Sequence, residues 1–295
     1  MPTIKLKRKQ VEKVWGRHDL PQPFASEGQG TGPIGEIWFE HPDGADAALL
    51  IKYLFTSEKL SIQVHPDDEA AKRAGHKGGK EEAWLILRAE PEAVIGIGLT
   101  EAVTSEGLAA AARDGSIEAL VDWRPATDGD FYYSPAGTIH ALGPGLSLIE
   151  VQQSSDVTYR LYDYGRAREL HLQAAAEVAI PKPFHPVCAT EMRADGREIL
   201  ASGRAFVLER WCLADGFVQP APGRPVWLVP VSGKGLIGRD QLLPGEVWFV
   251  EDSERLVLET GSELLVAYPG GEVIDGLIGD NAVRSRDGAS SGSSL

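Results

Sequence analysis

The stretch LSIQVHPDDEAA, residues 60–71, ends a strand-like run with two polar side chains. Gln63 and His65 are two residues apart, so on an extended chain both point to one face, while Val64 points to the other. Amide oxygens and imidazole nitrogens can both bind divalent metal ions. The spacing therefore predicts a polar, ligand-bearing face at the end of a strand, just before Pro66 interrupts it.

Two later segments offer partners for this face. GGKEEAWLIL (78–87) places Glu82 at the start of a strand, and SPAGTIHALGPG (134–145) places His140 after a tight turn. One amide, two imidazoles and one carboxylate suit a borderline divalent ion and leave a position for water or substrate. The spacing alone favours a hydrogen-bonded core or rim histidine and a solvated glutamate over a metal site. The remaining histidines have no comparable setting, and we interpret them as surface or structural: His18, His41, His76, His171 and His185.

Short strands must position these side chains. The candidates before residue 165 are ALLIKYLF, LSIQVH, EAWLIL, AVIGIGL, DFYYSP, LSLIEVQQ and VTYRLYDY. Such strands are typical of an antiparallel barrel or sandwich, whose mouth brings distant ligands together. Two helical insertions are predicted, one over 67–75 from its acidic first turn and terminal glycine, and one over 104–123 from its alanine-rich apolar spacing.

The second half repeats the strand rhythm. Residues 169–195 predict a helix and a proline-rich linker, and residues 196–280 predict a second, smaller β domain. The motif GKGLIG (233–238) resembles a dinucleotide fingerprint, but a turn and a strand follow it, so we interpret it as a hairpin turn. The tail over 281–295 has the composition of a disordered segment.

The second β domain carries no histidine set of its own, so we interpret it as structural and expect one metal ion per chain. Alternation along each strand is expected to expose some members of its predicted core, which are Phe206, Leu208, Trp227, Val229, Val247, Trp248 and Val250.

Composition limits the partners. A net charge of −14 argues against nucleic-acid binding, and it requires that an anionic substrate meet a local basic cluster. No apolar run approaches the ~18 residues of a membrane span, and the amino-terminal segment lacks the apolar core of a signal peptide. Cys188 and Cys212 show no metal-type spacing and fit a reducing compartment. We expect a soluble, cytoplasmic protein without a membrane partner; its oligomeric state is open.

Several motifs together resemble one enzyme family. LSIQVHPDDEAA, GGKEEAW, PAGTIHALGPGLSLIEVQQSSDVTYRLYDYGR and the earlier GEIWFE are similar, in order, to type I mannose-6-phosphate isomerase, a metal-dependent cupin enzyme. The resemblance runs over roughly residues 10–170. It implies a mostly β fold of two tandem cupin-type jelly-roll β-barrels with a small helical insertion, and it makes residues 1–168 the catalytic metal-binding domain.

The resemblance also implies a ligand set. In that family, the glutamine and histidine of Q-V-H-P, the glutamate of G-K-T-E and the histidine of P-x-G-x-x-H-A bind zinc. The matching positions are Gln63, His65, Glu82 and His140. One departure is Glu81, which replaces the family threonine; it should point away from Glu82 on an extended chain, although its charge beside Lys80 is a reason to expect altered phosphate affinity.

The implied reaction interconverts mannose 6-phosphate and fructose 6-phosphate through an enediol. The resemblance places Lys80, Glu150 and Arg160 in the active site, the first two as acid–base or positioning candidates and the third as a cation for the enediolate or substrate. Each of these residues also has a possible structural role outside catalysis. Lys80 fits an exposed lysine, Glu150 fits a carboxylate that orients a ligand histidine, and Arg160 fits a salt bridge with Asp156 or Asp163.

Two other function classes stay open at this stage. One is a metal cupin that acts on an unphosphorylated sugar, or that uses iron for oxygen chemistry. The other is a regulatory cupin that binds the sugar without turnover. Three tryptophans fit cavity lining and barrel core equally well: Trp15, Trp38 and Trp84.

Overall fold

The computed structural model describes residues 3–26, 32–186, 188–212 and 214–279. The predicted tail over 281–295 lies outside these ranges. Within them the protein is mostly β, as predicted. The strands up to residue 165 are β1 (Ile4–Lys5), β2 (Lys7–Arg17), β3 (Ile34–Glu40), β4 (Leu49–Phe55), β5 (Ile62–Val64), β6 (Glu82–Ala89), β7 (Val94–Leu99), β8 (Val121–Pro125), β9 (Phe131–Ser134), β10 (His140–Leu142), β11 (Leu146–Gln153) and β12 (Tyr159–Tyr162).

The second half continues the same pattern. Its strands are β13 (Glu191–Met192), β14 (Arg197–Ser202), β15 (Phe206–Trp211), β16 (Asp215–Val218), β17 (Val226–Ser232), β18 (Gly235–Ile237), β19 (Asp240–Leu242), β20 (Trp248–Val250), β21 (Glu254–Leu258), β22 (Glu263–Pro269) and β23 (Ile278–Gly279). GKGLIG ends in the turn between β18 and β19, where Gly238 has φ 58°. The motif is therefore a hairpin element, as predicted.

Each half forms two antiparallel sheets. In the first half the strand orders are β2-β3-β4-β11-β6-β9 and β12-β5-β10-β7-β8, and in the second half β1-β20-β17-β22-β15-β14-β13 and β19-β18-β21-β16-β23. The predicted jelly rolls are therefore pairs of sheets. The amino-terminal strand β1 pairs with β20 of the second half, at Ile4↔Phe249. The division into domains at residues 168 and 195 stays a prediction.

The two halves share an apolar core. The six-stranded sheet of the first half packs against the seven-stranded sheet of the second through side chains such as Ile51, Ile149, Phe206 and Trp227. All seven predicted core residues of the second half are buried, so the expectation that some would be exposed is wrong. The physical reason is that the seven-stranded sheet is covered on both faces. Leu208 packs against the first half, and Val250 packs against the partner sheet within the second half.

The helices lie on the first half. They are α1 (Asp68–Arg73), α2 (Ser105–Asp114), α3 (Ile117–Leu120) and α4 (Leu172–Val178). The predicted helix over 67–75 is capped by Asp67, which accepts a hydrogen bond from the Ala70 amide. The segment predicted as helical over 104–123 ends at Leu120 instead, because its last three residues join β8 and pair with β7. No helix among the described residues is long and apolar enough to cross a membrane.

Candidate metal centre and active site

Strand pairing brings three of the predicted residues into one row. His140 on β10 lies opposite Gln63 on β5, and Arg160 on β12 lies opposite Gln63 from the other side. His65 follows two residues after Gln63, so its side chain emerges on the same face. The chain then turns at Pro66 into α1, which leaves both polar side chains at the end of the strand.

Glu82 reaches this row from the other sheet of the first half. Its Oε1 lies 3.0 Å from Nε2 of His140 and 3.4 Å from Nε2 of His65. The three side chains are buried, and one ligand atom from each lies within 4.8 Å of the others. These three residues are the one group of histidine, cysteine or carboxylate side chains with metal-binding geometry among the described residues. The five other histidines lie outside it.

Both imidazoles are oriented by backbone carbonyls. Nδ1 of His65 lies 2.7 Å from the Val157 carbonyl oxygen, and Nδ1 of His140 lies 2.9 Å from the Thr138 carbonyl oxygen. A carbonyl oxygen can only accept a hydrogen bond, so each Nδ1 donates and each ring directs its Nε2 towards Glu82. Burial, and next the charge of Lys80, lower the pKa of His65 to about 4, which keeps this ring neutral near pH 7.

The carboxylate of Glu82 is charged. Burial alone would raise its pKa, but Lys80 and the two histidines outweigh that effect and hold the pKa well below its usual range. Neither oxygen accepts a hydrogen bond of good geometry, although Nζ of Lys80 lies 2.8 Å from Oε2. Two ring nitrogens and a carboxylate oxygen thus face one another at 3.4 Å and 3.0 Å without a hydrogen bond of good geometry. A divalent cation fits this donor set, because the two Nε2 atoms and the carboxylate oxygen could coordinate it in place of the missing hydrogen bonds.

Gln63 is close enough to join the set. Its Nε2 lies 3.2 Å from Nε2 of His140, and its Oε1 accepts a hydrogen bond from the Ser61 hydroxyl. A half-turn of the amide would direct Oε1 to the centre and let Nε2 donate to Ser61. Metal binding through Gln63 requires that rotation.

Lys80 is buried, which excludes the alternative that it is an ordinary exposed lysine. It faces the same side as Glu82, as the two-residue spacing predicts. Burial would lower the pKa of its ammonium, but Glu82 and Glu150 outweigh burial and raise the pKa above its ordinary value. Lys80 is therefore a positively charged donor beside the candidate metal centre.

Glu150 does not orient either histidine, since backbone carbonyls hold both rings. Its Oε1 accepts a hydrogen bond from Nε1 of Trp84 at 3.0 Å, and its Oε2 lies 3.2 Å from Nζ of Lys52. Both partners lie directly across β11 on the neighbouring strands. The carboxylate is thus fixed in the cavity wall next to Lys80.

Arg160 does not form the expected alternative salt bridge. Asp163 is occupied by Arg168, at 2.6 Å from each oxygen. Within the described ranges, no hydrogen bond or ion pair holds the Arg160 guanidinium, and its Nε is buried without a partner. Burial, and next the charge of Arg168, lower the pKa of the guanidinium from its ordinary value. The side chain is available to a bound anion.

One cavity collects the acidic and basic groups. It is lined by Lys13, Trp15, Glu36, Lys52, Gln63, Lys80, Glu150, Asp156 and Arg160, among others. Three of these residues were not predicted as part of a site: Lys13, Glu36 and Lys52. The available signal was Lys52 in the otherwise apolar run ALLIKYLF, because a lysine in a buried strand needs a partner. Trp15 lines this cavity, Trp84 is buried core that bonds Glu150, and the Trp38 ring lies under Nζ of Lys52.

The second half holds a different polar cluster. Buried Glu209 accepts hydrogen bonds from Arg197, Trp211 and Tyr268, and Arg197 also donates to the Ile274 carbonyl oxygen. Every group in this cluster has a protein partner, so it needs no ion.

Tandem two-sheet jelly rolls with a His–Glu–His cluster inside the first define a cupin-type protein with a candidate metal centre. No protein-family model matches the chain. The chain is 35% identical to a mannose-6-phosphate isomerase from Streptococcus mutans over 221 residues, which cover 70% of this chain and 69% of that protein. It is 32% identical to mannose-6-phosphate isomerase ManA from Bacillus subtilis over 267 residues, 84% of this chain and 82% of that protein.

Solved structures agree with these relatives. The crystal structure of mannose 6-phosphate isomerase from Bacillus subtilis matches with a TM-score of 0.75 and 28% identity, covering 90% of this chain and 99% of that one. A zinc-bound mannose 6-phosphate isomerase matches with a TM-score of 0.68 and 15% identity, over 91% and 99% of the two chains. The chain belongs to the mannose-6-phosphate isomerase family, as its motifs indicated.

Proposed function

We propose that this protein is a zinc-dependent aldose–ketose isomerase that interconverts mannose 6-phosphate and fructose 6-phosphate. The observation that carries the proposal is the buried His65–Glu82–His140 cluster, where two imidazole nitrogens and a carboxylate oxygen face one another beside the cavity that holds Lys80. The relatives' names supply the substrate, and the zinc-bound neighbour supports the choice of metal.

We assign Gln63, His65, Glu82 and His140 as the ligands of one zinc ion per chain. When bound, the ion supplies Lewis-acid polarisation of the sugar's carbonyl and hydroxyl oxygens. Buried neutral imidazoles and an ionised carboxylate are the protonation states that zinc requires, and the protein holds His65 and Glu82 in those states.

Isomerisation moves a proton between C1 and C2, so it needs a group that accepts the proton and a donor for the oxygens. The fixed carboxylate of Glu150 is our candidate acceptor. The ammonium of Lys80 is our candidate donor, because Glu82 and Glu150 keep it protonated.

Arg160 is the cation best placed for the substrate's negative charge. The lysines of the cavity already face carboxylates, at 3.4 Å for Lys13 and Glu36 and at 3.2 Å for Lys52 and Glu150. Arg160 has no such partner among the described side chains, so its interaction with the enediolate or the phosphate costs no existing ion pair.

An assay of purified protein with mannose 6-phosphate and with unphosphorylated mannose, each with and without a chelator, tests the proposal. We expect fructose 6-phosphate from the phosphorylated sugar alone, and loss of turnover on chelation. Turnover of free mannose would favour another sugar substrate, and binding without turnover would favour a regulatory protein. The cytoplasmic location is likewise a proposal, supported by the two free cysteines, which fit a reducing compartment.

A further inference from the structure

Glu81 separates the two functional residues Lys80 and Glu82, and it points the opposite way. As predicted from strand alternation, its side chain leaves the cavity. It is buried between the two halves of the protein, where its Oε2 accepts hydrogen bonds from both halves. The charge of Glu81 therefore faces the second half and not the substrate.

Three donors meet that oxygen. The Tyr133 hydroxyl donates at 2.5 Å, and the backbone amides of Arg204 and Ala205 donate at 3.2 Å and 3.1 Å. Arg204 and Ala205 belong to the turn between β14 and β15, so two of the donors come from the second half. Burial, and next this hydrogen bond, raise the pKa of the Tyr133 phenol, which therefore remains a donor.

The backbone of the turn passes close to Tyr133 and Glu81 at Gly203. A Cβ atom at Gly203 would lie 2.0 Å from the Tyr133 hydroxyl oxygen and 3.0 Å from Oε2 of Glu81. Only glycine fits there without displacing the tyrosine. We refer to Glu81, Tyr133 and the turn 203–205 as the interdomain clamp.

The clamp acts on a short, tightly held segment. The Lys80 amide donates to the Pro66 carbonyl oxygen at 3.0 Å, and the Glu81 amide donates to Oε1 of Gln153 at 2.9 Å. Loss of the clamp would leave a buried carboxylate without its donors, and such a group is strongly driven towards water or new partners. Movement of Glu81 would turn the residues on either side of it.

We propose that the second half positions the catalytic machinery of the first through the interdomain clamp, with Glu81 as a positioning residue for Lys80 and Glu82. The inference rests on the proposed function, because it takes Glu82 as a metal ligand. It gives the second half a role beyond covering apolar surface.

The test measures zinc affinity by chelator competition, together with kcat and KM, for variants on both sides of the clamp. Gly203→Ala displaces donors of Oε2, and Glu81→Ala removes the oxygen that they bind. Each change should weaken zinc binding by about 10-fold or more, a typical effect of removing a group that supports a metal ligand. Glu81→Gln keeps an oxygen for the turn amides and should restore most of the affinity.

The matched control is Glu246→Ala. Glu246 is also a buried carboxylate of the second half; it pairs with Lys5 and accepts a hydrogen bond from Trp248, away from the cavity. This variant should lower Tm while zinc affinity and kcat stay within about twofold of the native values. Clamp variants that lower Tm equally but keep native zinc affinity would overturn the proposal and leave Glu81 as a packing contact.

Two further measurements keep the test decisive. If the alanine variants do not fold, Tyr133→Phe removes a single donor and should still weaken zinc binding several-fold, and native affinity there would overturn the proposal. Amide hydrogen exchange over residues 80–83 in metal-free protein should be faster in the clamp variants than in Glu246→Ala. If native protein binds no zinc, the proposed function fails, while this exchange result still decides the clamp.

Discussion

Lowering the pH from 7 to 5 should destabilise the metal-free protein through one side chain, His65. Burial, and next the charge of Lys80, lower the pKa of this imidazole to about 4, against an ordinary value of 6.5. Unfolding restores the ordinary value. Between these two pH values the unfolded chain binds more protons than the folded one, so the free energy of unfolding falls as the pH falls.

The size of the effect follows from the two pKa values. The whole gap corresponds to about 3 kcal/mol, since one pKa unit is worth about 1.4 kcal/mol. At pH 5 most of this stabilising free energy is already lost, because the unfolded imidazole is almost fully protonated and the folded one is still largely neutral. His65 should therefore remove about 2 kcal/mol of stability between pH 7 and pH 5.

Urea unfolding of chelator-treated protein at both pH values measures this loss. The comparison with His65→Gln reports the contribution of this side chain, because the titrating groups away from the site are common to both proteins. His65→Gln should show about 2 kcal/mol less pH dependence than native protein. His76→Gln, a change at an exposed histidine, should keep the native pH dependence. An unchanged pH dependence in His65→Gln would refute the reasoning and mean that His65 is not held neutral by burial.

Three further changes test other parts of the structure. Arg160→Ala should lower kcat by at least about 10²-fold, the size expected for a donor to transition-state charge; a rise in KM alone would assign Arg160 to phosphate binding, and no effect on either would exclude it from the site. Removal of the residues after Ala194 should cause aggregation in light-scattering experiments, because it uncovers the shared apolar core; a soluble, monomeric fragment would contradict this. Arg197→Ala should cost about 3–5 kcal/mol in denaturant unfolding by leaving Glu209 buried and unpaired, with native turnover in the folded fraction; a loss below about 1 kcal/mol would show that the pair is not needed.

Local patterns predicted the strands that carry Gln63, Glu82 and Glu150, but not β10, a strand of three residues that begins at His140. The polar face of Gln63 and His65 and the opposite directions of Glu81 and Glu82 both follow from the two-residue period of a strand. The strand β2 was not predicted, because its sequence KRKQVEKVWGR is basic and mostly exposed until its end. Edge position and pairing with β3 make it a strand, and neither is a local property.

The contacts between the halves were beyond local reasoning. Alternation implied one exposed face for the seven-stranded sheet, yet Phe206 and Leu208 are buried because the first half covers that face. The direction of Glu81 was predictable, but its partners Arg204 and Ala205 lie far along the chain. Lys52 and Glu150 both lie in the first half, but they too are far apart in the sequence. The register between β4 and β11 places them side by side.

Zinc titration of chelator-treated native protein and of His140→Ala, with the bound metal measured directly, tests the central claim most directly. Native protein should bind one zinc ion per chain, with isomerase activity rising in proportion to the bound ion. His140→Ala should stay folded and bind no zinc tightly, because one of two imidazole ligands is gone. A His140→Ala protein that keeps one tightly bound ion and near-native turnover, or a native protein that binds two ions per chain, would contradict the assignment of a single metal centre in the first half.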